Sequence, residues 1–368
     1  MSAFRLFQPF THGRLSLRNR VVMAPMTRRR ADEDGVVTAE SLEYYRRRAA
    51  GEVGLIVSEG TAIDSRHAFD TATVPRIETD EQIEAWGRVA AAVQAEGGAF
   101  APQLWHTGRL AADPIGPVRA EMPARADGTP RPRVRAMTEH DFAQVLDAFE
   151  RSARGCVRIG CDALEIHGAH GYLLDSFLSE STNGRSDAWG GSLEGRMRFP
   201  LEVIRRVRAA VGPDFPVLYR FSQWKMDDYR EMKFRKPDDL RVWVEAAAAA
   251  GVDIFHVSTR RAVDPAFEPD ADPSQRTLAG WTRELSGRPT IAVGSVTVTR
   301  TMDESRDGQS GNAVADPAPV LQLLEDGEAD LLAVGRALIA NADWARKVRE
   351  GRWRDLVPYD AAMLRTLD

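Results

Sequence analysis

Eight short runs of β-forming apolar residues recur along the chain, each followed by a polar or glycine-bearing loop and then a stretch of helical periodicity. Neighbouring parallel strands need a long crossover, usually a helix, whereas antiparallel strands need only a tight turn. The alternation therefore selects a parallel sheet covered by helices. The runs are Val21–Pro25, Gly54–Ser58, Ala99–Trp105, Ala163–His167, Pro216–Phe221, Asp253–Val257, Thr290–Gly294 and Asp330–Val334. A doubly wound open sheet is the rival arrangement, but eight such units suit closure, and no G-x-G-x-x-G follows any strand. The expected fold is a single (β/α)8 TIM barrel over residues 1–368, whose length exceeds the roughly 250 residues of a plain barrel and leaves room for insertions.

Local signals agree with this reading. Thr79 with Gln82, and Thr138 with Asp141, have capping-box spacing at helix starts. Three strands begin alike, with a glycine that ends the preceding helix and an aspartate just before the apolar run: Asp162, Asp253 and Asp330. These aspartates are expected to be structural, at the barrel floor. Phe4–Leu17 is predicted to form a β-hairpin that caps the floor, with Thr11-His12-Gly13 as its turn. The polar, proline- and glycine-bearing stretches Asp113–Pro132 and Thr301–Pro319 follow strands three and seven, on the side where such barrels keep their chemistry, as active-site loop insertions.

Composition excludes several classes of partner. With 43% hydrophobic and 28% charged residues the chain can bury a sizeable core, and a net charge of −5 with scattered basic residues offers no footprint for nucleic acid. No stretch reaches the roughly 20 apolar residues of a membrane span, so the protein is expected to be cytoplasmic and not membrane-bound. Cys156 and Cys161 fit neither a disulfide framework nor a metal spacing, and are read as small buried hydrophobes. A homodimer is the assembly considered, with nothing in the sequence that decides it.

Barrel chemistry sits beyond the C-terminal strand ends. Those ends carry Pro25-Met26-Thr27, Glu59-Gly60-Thr61, Gln103-Leu104-Trp105-His106, His167 through Tyr172, Arg220-Phe221-Ser222, Ser258-Thr259-Arg260, Gly294-Ser295 and Gly335-Arg336. A ring of hydrogen-bonding groups without clustered carboxylates suits a planar heterocycle better than a glycoside. Gly294, Ser295, Gly335 and Arg336 stand where barrels commonly bind phosphate, with glycine-exposed amides and a guanidinium fork suited to a dianion. His167 and His170 lack a third ligand at a matching position for zinc, although folding can bring in His106 or Asp175. Facing a pocket, two imidazoles can instead hold a carbonyl or nitro oxygen, with Tyr172 placed to deliver a proton.

Longer motifs carry a family resemblance: NRVVMAPMTR at 19–28, SEGT at 58–61, QLWHTGR at 103–109, EIHGAHGYLLDSFLS at 165–179, NGRSDAWGGSLEGRMRF at 183–199, RFSQWK at 220–225 and AVGRALIANADW at 333–344. Nearly end to end, the chain resembles the old yellow enzymes, FMN-dependent ene-reductases. The resemblance implies a non-covalent FMN with Pro25, Met26, Thr27 and Gly60 along its isoalloxazine ring and Gln103 at the pyrimidine edge. Arg220 is implied near N1 and O2, and Gly294, Ser295, Gly335 and Arg336 at the phosphate. It further implies that NADH or NADPH supplies hydride, which passes from flavin N5 to the β-carbon of an activated alkene. In that scheme His167 and His170 hold the activating oxygen, Tyr172 gives the proton, Trp105 forms part of the substrate wall, and no metal is bound. Thr27 stands where one branch of the family has cysteine and His170 where another has asparagine, so the chain matches neither branch fully. The alternative from another class is a metal-dependent barrel hydrolase built on His106, His167 and His170; a third reading is a flavin- or ligand-binding protein without turnover.

Overall fold

The computed structural model describes residues 5–64, 66–124, 128–302, 304 and 311–368. Phe4, part of the first expected insertion at 125–127, and part of the second at 303 and 305–310 lie outside the described residues. In chain order the elements are β1 (Phe10–His12), β2 (Leu15–Leu17), β3 (Val21–Met23), α1 (Ala39–Ala50), β4 (Leu55–Ala62), α2 (Asp80–Ala95), β5 (Ala99–Trp105), β6 (Ile115–Gly116), β7 (Arg135–Ala136) and α3 (Glu139–Arg158). There follow β8 (Leu164–His167), α4 (Leu173–Leu178), α5 (Leu193–Val211), β9 (Val217–Ser222), α6 (Pro237–Ala250), β10 (Ile254–Ser258), α7 (Leu278–Ser286), β11 (Thr290–Val293), α8 (Ala318–Glu325), β12 (Leu331–Val334), α9 (Arg336–Ala340) and α10 (Trp344–Arg349).

Eight strands close into one parallel barrel in the order β3-β4-β5-β8-β9-β10-β11-β12 and back to β3. Each is one of the eight expected runs. The largest boundary difference is at β4, which continues to Ala62 through a register shift between Val57 and Gly60. Because side chains alternate across a strand, each run divides into two sets. Met23, Ile56, Phe100, Ile166, Tyr219, Phe255 and Leu332 pack outward in the large core under the helices. Val22, Leu55, Val57, Ala99, Ala101, Ala163, Leu218, Ile254, Ile291 and Leu331 fill the barrel's lower interior.

The floor hairpin is shorter than expected. Thr11 and His12 are ladder residues, paired with Ser16 and Leu15, so the turn falls at Gly13-Arg14 and not at Thr11-His12-Gly13. Gly13 has φ +55°, the left-handed conformation that a tight hairpin turn demands and glycine adopts without steric cost. Residues Arg5–Phe7 form a short 3-10 helix ahead of it. Phe10, Leu15 and Leu17 are buried against the interior set and close the barrel from below.

The three aspartates act alike. Asp162 accepts from Phe100 N (2.9 Å), Asp253 from Val217 N (2.8 Å) and Asp330 from Thr290 N (3.0 Å), each capturing an amide at the start of the neighbouring strand. Both capping boxes form, at Thr79 with Gln82 and Thr138 with Asp141. Cys156 and Cys161 are buried and unpaired. Among the described residues no helix is long and apolar enough to cross a membrane.

Candidate active site

Followed upward from the floor, the inward-facing positions change character every second residue. On β5 the series is Ala99, Ala101, Gln103, Trp105; entering and along β8, Ala163, Glu165, His167; on β9, Leu218, Arg220, Ser222; on β10, Ile254, His256, Ser258. Gly60 is in register with Gln103 and Gln103 with Glu165; His167 aligns with Arg220, Arg220 with His256, and Ser222 with Ser258. A polar layer thus lies on the apolar plug, with the site above it.

The middle layer holds a fully buried chain of hydrogen bonds. Gln103 Nε2 donates to Glu165 Oε1 at 2.7 Å, and Glu165 Oε2 lies 2.6 Å from His256 Nδ1. Arg220 is buried beside it, and among the described residues no carboxylate comes within ion-pair distance of its guanidinium. Burial lowers its pKa, and the nearby Glu165 charge opposes that shift.

Above this layer, His167, His170, Tyr172 and Trp105 converge. The His167 ring centroid is 5.1 Å from those of both His170 and Tyr172, and Trp105 meets Tyr172 edge-on at 5.0 Å. Trp224 stacks on His170 at 4.4 Å with an interplanar angle of 20°. Burial, followed by the positive charge of Arg220, pushes both imidazoles well below the ordinary histidine pKa, so they are neutral near pH 7. Among the described residues His167 Nδ1 and Arg220 Nε are buried without a hydrogen-bond partner.

His170 and Gly171 both have left-handed backbones, φ +66° and +82°. The His170 amide donates to Ser222 Oγ at 3.0 Å, the Gly171 amide to Asp175 Oδ2 at 2.7 Å, and Met226 N to His170 O at 3.1 Å. Asp175 in turn pairs with Lys233, both side chains almost wholly buried. Tyr172 follows as the half-buried residue at the start of α4.

At the opposite wall, Gly294 is packed so closely by the loop after β10 that a Cβ there would lie 2.7 Å from Ala262 N and 2.8 Å from Thr259 O. Ser295 has φ +47° and Thr297 φ +52°, and Trp344 Nε1 on α10 holds Thr297 Oγ1 at 2.9 Å. Arg336, opening α9, donates to Thr301 O (3.0 Å) and Arg300 O (2.6 Å). A Cβ at Gly335 would first meet Met26 Sδ, at 3.5 Å, which brings the ends of β3 and β12 together. Pro25 and Met26 are half-buried and Thr27 is exposed. Their loop is tied to the next strand by Glu59, whose Oε2 accepts from Arg28 N (2.7 Å) and Arg29 N (3.0 Å). The missing side chain of Gly60 faces Trp105, whose Cε3 would lie 2.6 Å from a Cβ.

His106 has partners other than the histidine pair. Its Nδ1 accepts from Gly108 N at 3.0 Å and its Nε2 lies 3.8 Å from Asp64 Oδ2; burial lowers its pKa to about 4. Among the described residues no three His, Cys, Asp or Glu side chains are grouped to hold a metal ion, so the triple required by the hydrolase alternative is not assembled. Asp175 is likewise committed to Lys233 and Gly171. Residues that the sequence did not single out are Glu165, His256, Trp224 and Lys233; Glu59 and Ser258 stood among the strand ends with no role assigned. The two-residue spacing behind His167 and Ser258 was a signal for Glu165 and His256.

The family model for NADH:flavin oxidoreductases and NADH oxidases matches residues 5–355. The chain is 34% identical over 366 residues to chanoclavine-I aldehyde reductase of Penicillium roqueforti, covering 97% of this chain and 92% of the relative. It is 32% identical over 365 residues to the NADH oxidase of Thermoanaerobacter brockii; the match covers 95% of this chain and 52% of that protein, so the chain spans about half its length. The solved structure of the old yellow enzyme homologue from Zymomonas mobilis superposes with a TM-score of 0.79 at 29% identity, covering 98% of this chain and 96% of that one.

Proposed function

Starting from the chain's membership of the NADH:flavin oxidoreductase / NADH oxidase family, the old yellow enzymes, we propose that this FMN-dependent oxidoreductase reduces activated alkenes: α,β-unsaturated carbonyl compounds, with nitroalkenes as a second class. The observation that carries the reading is the convergence of His167, His170, Tyr172 and Trp105 above the buried Arg220.

The residues present fit FMN. Arg220, buried and without a carboxylate in ion-pair reach, suits the electron-rich edge of the ring system, and Gln103, its amide nitrogen engaged by Glu165, is left to offer its oxygen. Gly294, Ser295, Gly335 and Arg336 would hold the phosphate, and Pro25, Met26, Thr27 and Gly60 would flank the ring. When bound, FMN supplies the hydride carrier between NADH or NADPH and the alkene β-carbon.

His167 and His170, neutral donors, hold the substrate's carbonyl or nitro oxygen and stabilise negative charge as it develops there. Tyr172 delivers its phenolic proton to the α-carbon, and Trp105 forms the wall that orients the alkene. That a relative is named as the reductase of an aldehyde supports a carbonyl-bearing substrate.

The test is Tyr172→Phe in stopped flow, with the two half-reactions measured separately. Alkene reduction is expected to slow by about 10²–10⁴, the usual worth of a general acid, while flavin reduction by NAD(P)H changes far less. Equal slowing of both halves, or none, refutes the assignment of Tyr172 as the acid.

A further inference from the structure

Ser258 ends β10 and is almost fully buried. Its Oγ lies 2.8 Å from His170 Nε2 and accepts from Arg220 Nη2 at 3.3 Å. A guanidinium has donors only, so the hydroxyl hydrogen of Ser258 cannot go to Arg220. Among the described residues the one acceptor within reach of that hydrogen is His170 Nε2. A buried hydroxyl hydrogen left without an acceptor is costly, and the tautomer of a histidine is set by the bond its other nitrogen makes.

We propose that Ser258 is a positioning residue that fixes His170 in its neutral Nδ1–H tautomer. Arg220 donates to Ser258, Ser258 donates to His170 Nε2, and the His170 proton is left on Nδ1, the edge without a protein partner in the described structure. The ring is held in this orientation by Trp224, stacked 4.4 Å away, and by the anchored amide of His170. Without the Ser258 hydroxyl, the proton is free to move to Nε2, leaving Nδ1 as a lone-pair acceptor facing the substrate's oxygen. This deepens the proposed function and rests on it for the claim that His170 faces substrate; the tautomer itself does not.

Two measurements separate the claims. Long-range proton–nitrogen NMR of the ¹⁵N-histidine-labelled, FMN-loaded protein reports the tautomer, with the His170 signal identified by its loss in His170→Asn. The parent is expected to show Nδ1–H, Ser258→Ala a shift toward Nε2–H, and Ser258→Thr, which keeps a hydroxyl, the parent state. A parent that carries its proton on Nε2 overturns the proposal without recourse to any variant, as does a Ser258→Ala protein that keeps the parent tautomer. The second measurement is the dissociation constant of phenol, followed by its long-wavelength absorbance with the flavin. It is expected to weaken tenfold or more in Ser258→Ala and to recover in Ser258→Thr. If the tautomer moves but phenol affinity does not, His170 does not present Nδ1 to the ligand, and the assignment of His170 in the proposed function fails instead.

Discussion

Adding one methyl group at Gly60 tests whether Trp105 must stand where it does. The backbone of Gly60 is outside the left-handed region, so alanine meets no strain in the chain itself; the obstacle is the indole, whose Cε3 and Cδ2 would lie 2.6 and 2.7 Å from the new Cβ. Carbon atoms in contact prefer about 3.5–4.0 Å, so the indole must retreat by about 1 Å. It retreats within a packed cluster, edge-on to Tyr172 at 5.0 Å and stacked on His167 at 6.4 Å. Overpacking of this kind costs about 1–3 kcal/mol, which a well-buried barrel survives, but a 1 Å misplacement of positioning groups can cost about 10²-fold in rate. Gly60→Ala is therefore expected to fold, to retain FMN and to lose about 10² in kcat/KM for an enone. Adding Trp105→Phe removes the offending benzo ring and should recover part of the loss. Parent-like kinetics in Gly60→Ala, or a double variant no better than the single one, would refute the reasoning.

Two further outcomes are expected. Arg336→Ala removes a guanidinium that ties α9 to the backbone at Arg300 and Thr301 and that is assigned to the phosphate; FMN should dissociate at least tenfold more readily on gel filtration, and unchanged retention would place the phosphate elsewhere. Asp141 is held well below the ordinary carboxylate pKa, first by Arg135 and then by the Thr138 hydroxyl and amide. A depressed folded-state pKa makes its contribution full above the unfolded value near 3.9 and lost as pH falls through the lower folded value. Asp141→Asn should lose about 1–2 kcal/mol at pH 7 by thermal or denaturant unfolding, and less at strongly acidic pH; a difference that grows in acid contradicts the sign.

The barrel was legible because its signal is local and repeated: eight apolar runs, two capping boxes and three aspartates before strands. The histidine pair, Tyr172 and the last two strand ends stood out as candidates because polar groups interrupt apolar runs at places the fold makes chemical. What escaped notice depends on register between distant strands. Glu165 and His256 read as parts of the apolar runs Ala163–His167 and Asp253–Val257, and only closure brings them, 91 residues apart, to 2.6 Å. Ser258 was visible as a strand end, but its bond to His170, 88 residues away, was not. The hairpin turn was read as starting at Thr11 instead of Gly13 because Thr11 and His12 suit a turn by composition, whereas pairing with Ser16 and Leu15 is decided by which face of the hairpin closes the floor.

The turn that carries His170 and Tyr172 shows how a strained segment is kept in one state. Two successive left-handed residues, the first not glycine, cost of order 1–3 kcal/mol for the non-glycine position and persist only when their surroundings over-determine them. Here three backbone groups of the strained pair are taken: the amides by Ser222 and Asp175, the His170 carbonyl by Met226. Asp175 can accept from the Gly171 amide in either protonation state, but it balances the Lys233 charge only as a carboxylate. Burial pushes its carboxyl upward, and the Lys233 ammonium beside it pulls the other way. Lys233 in turn donates to Ser222 O at 2.9 Å, so β9 and the turn share one cation. Removing either partner of such a pair strands a buried charge at a cost of about 3–5 kcal/mol, more than the strain it restrains. The ion pair touches no reacting atom; its effect on chemistry is that the imidazole and the phenol it positions have one geometry to offer.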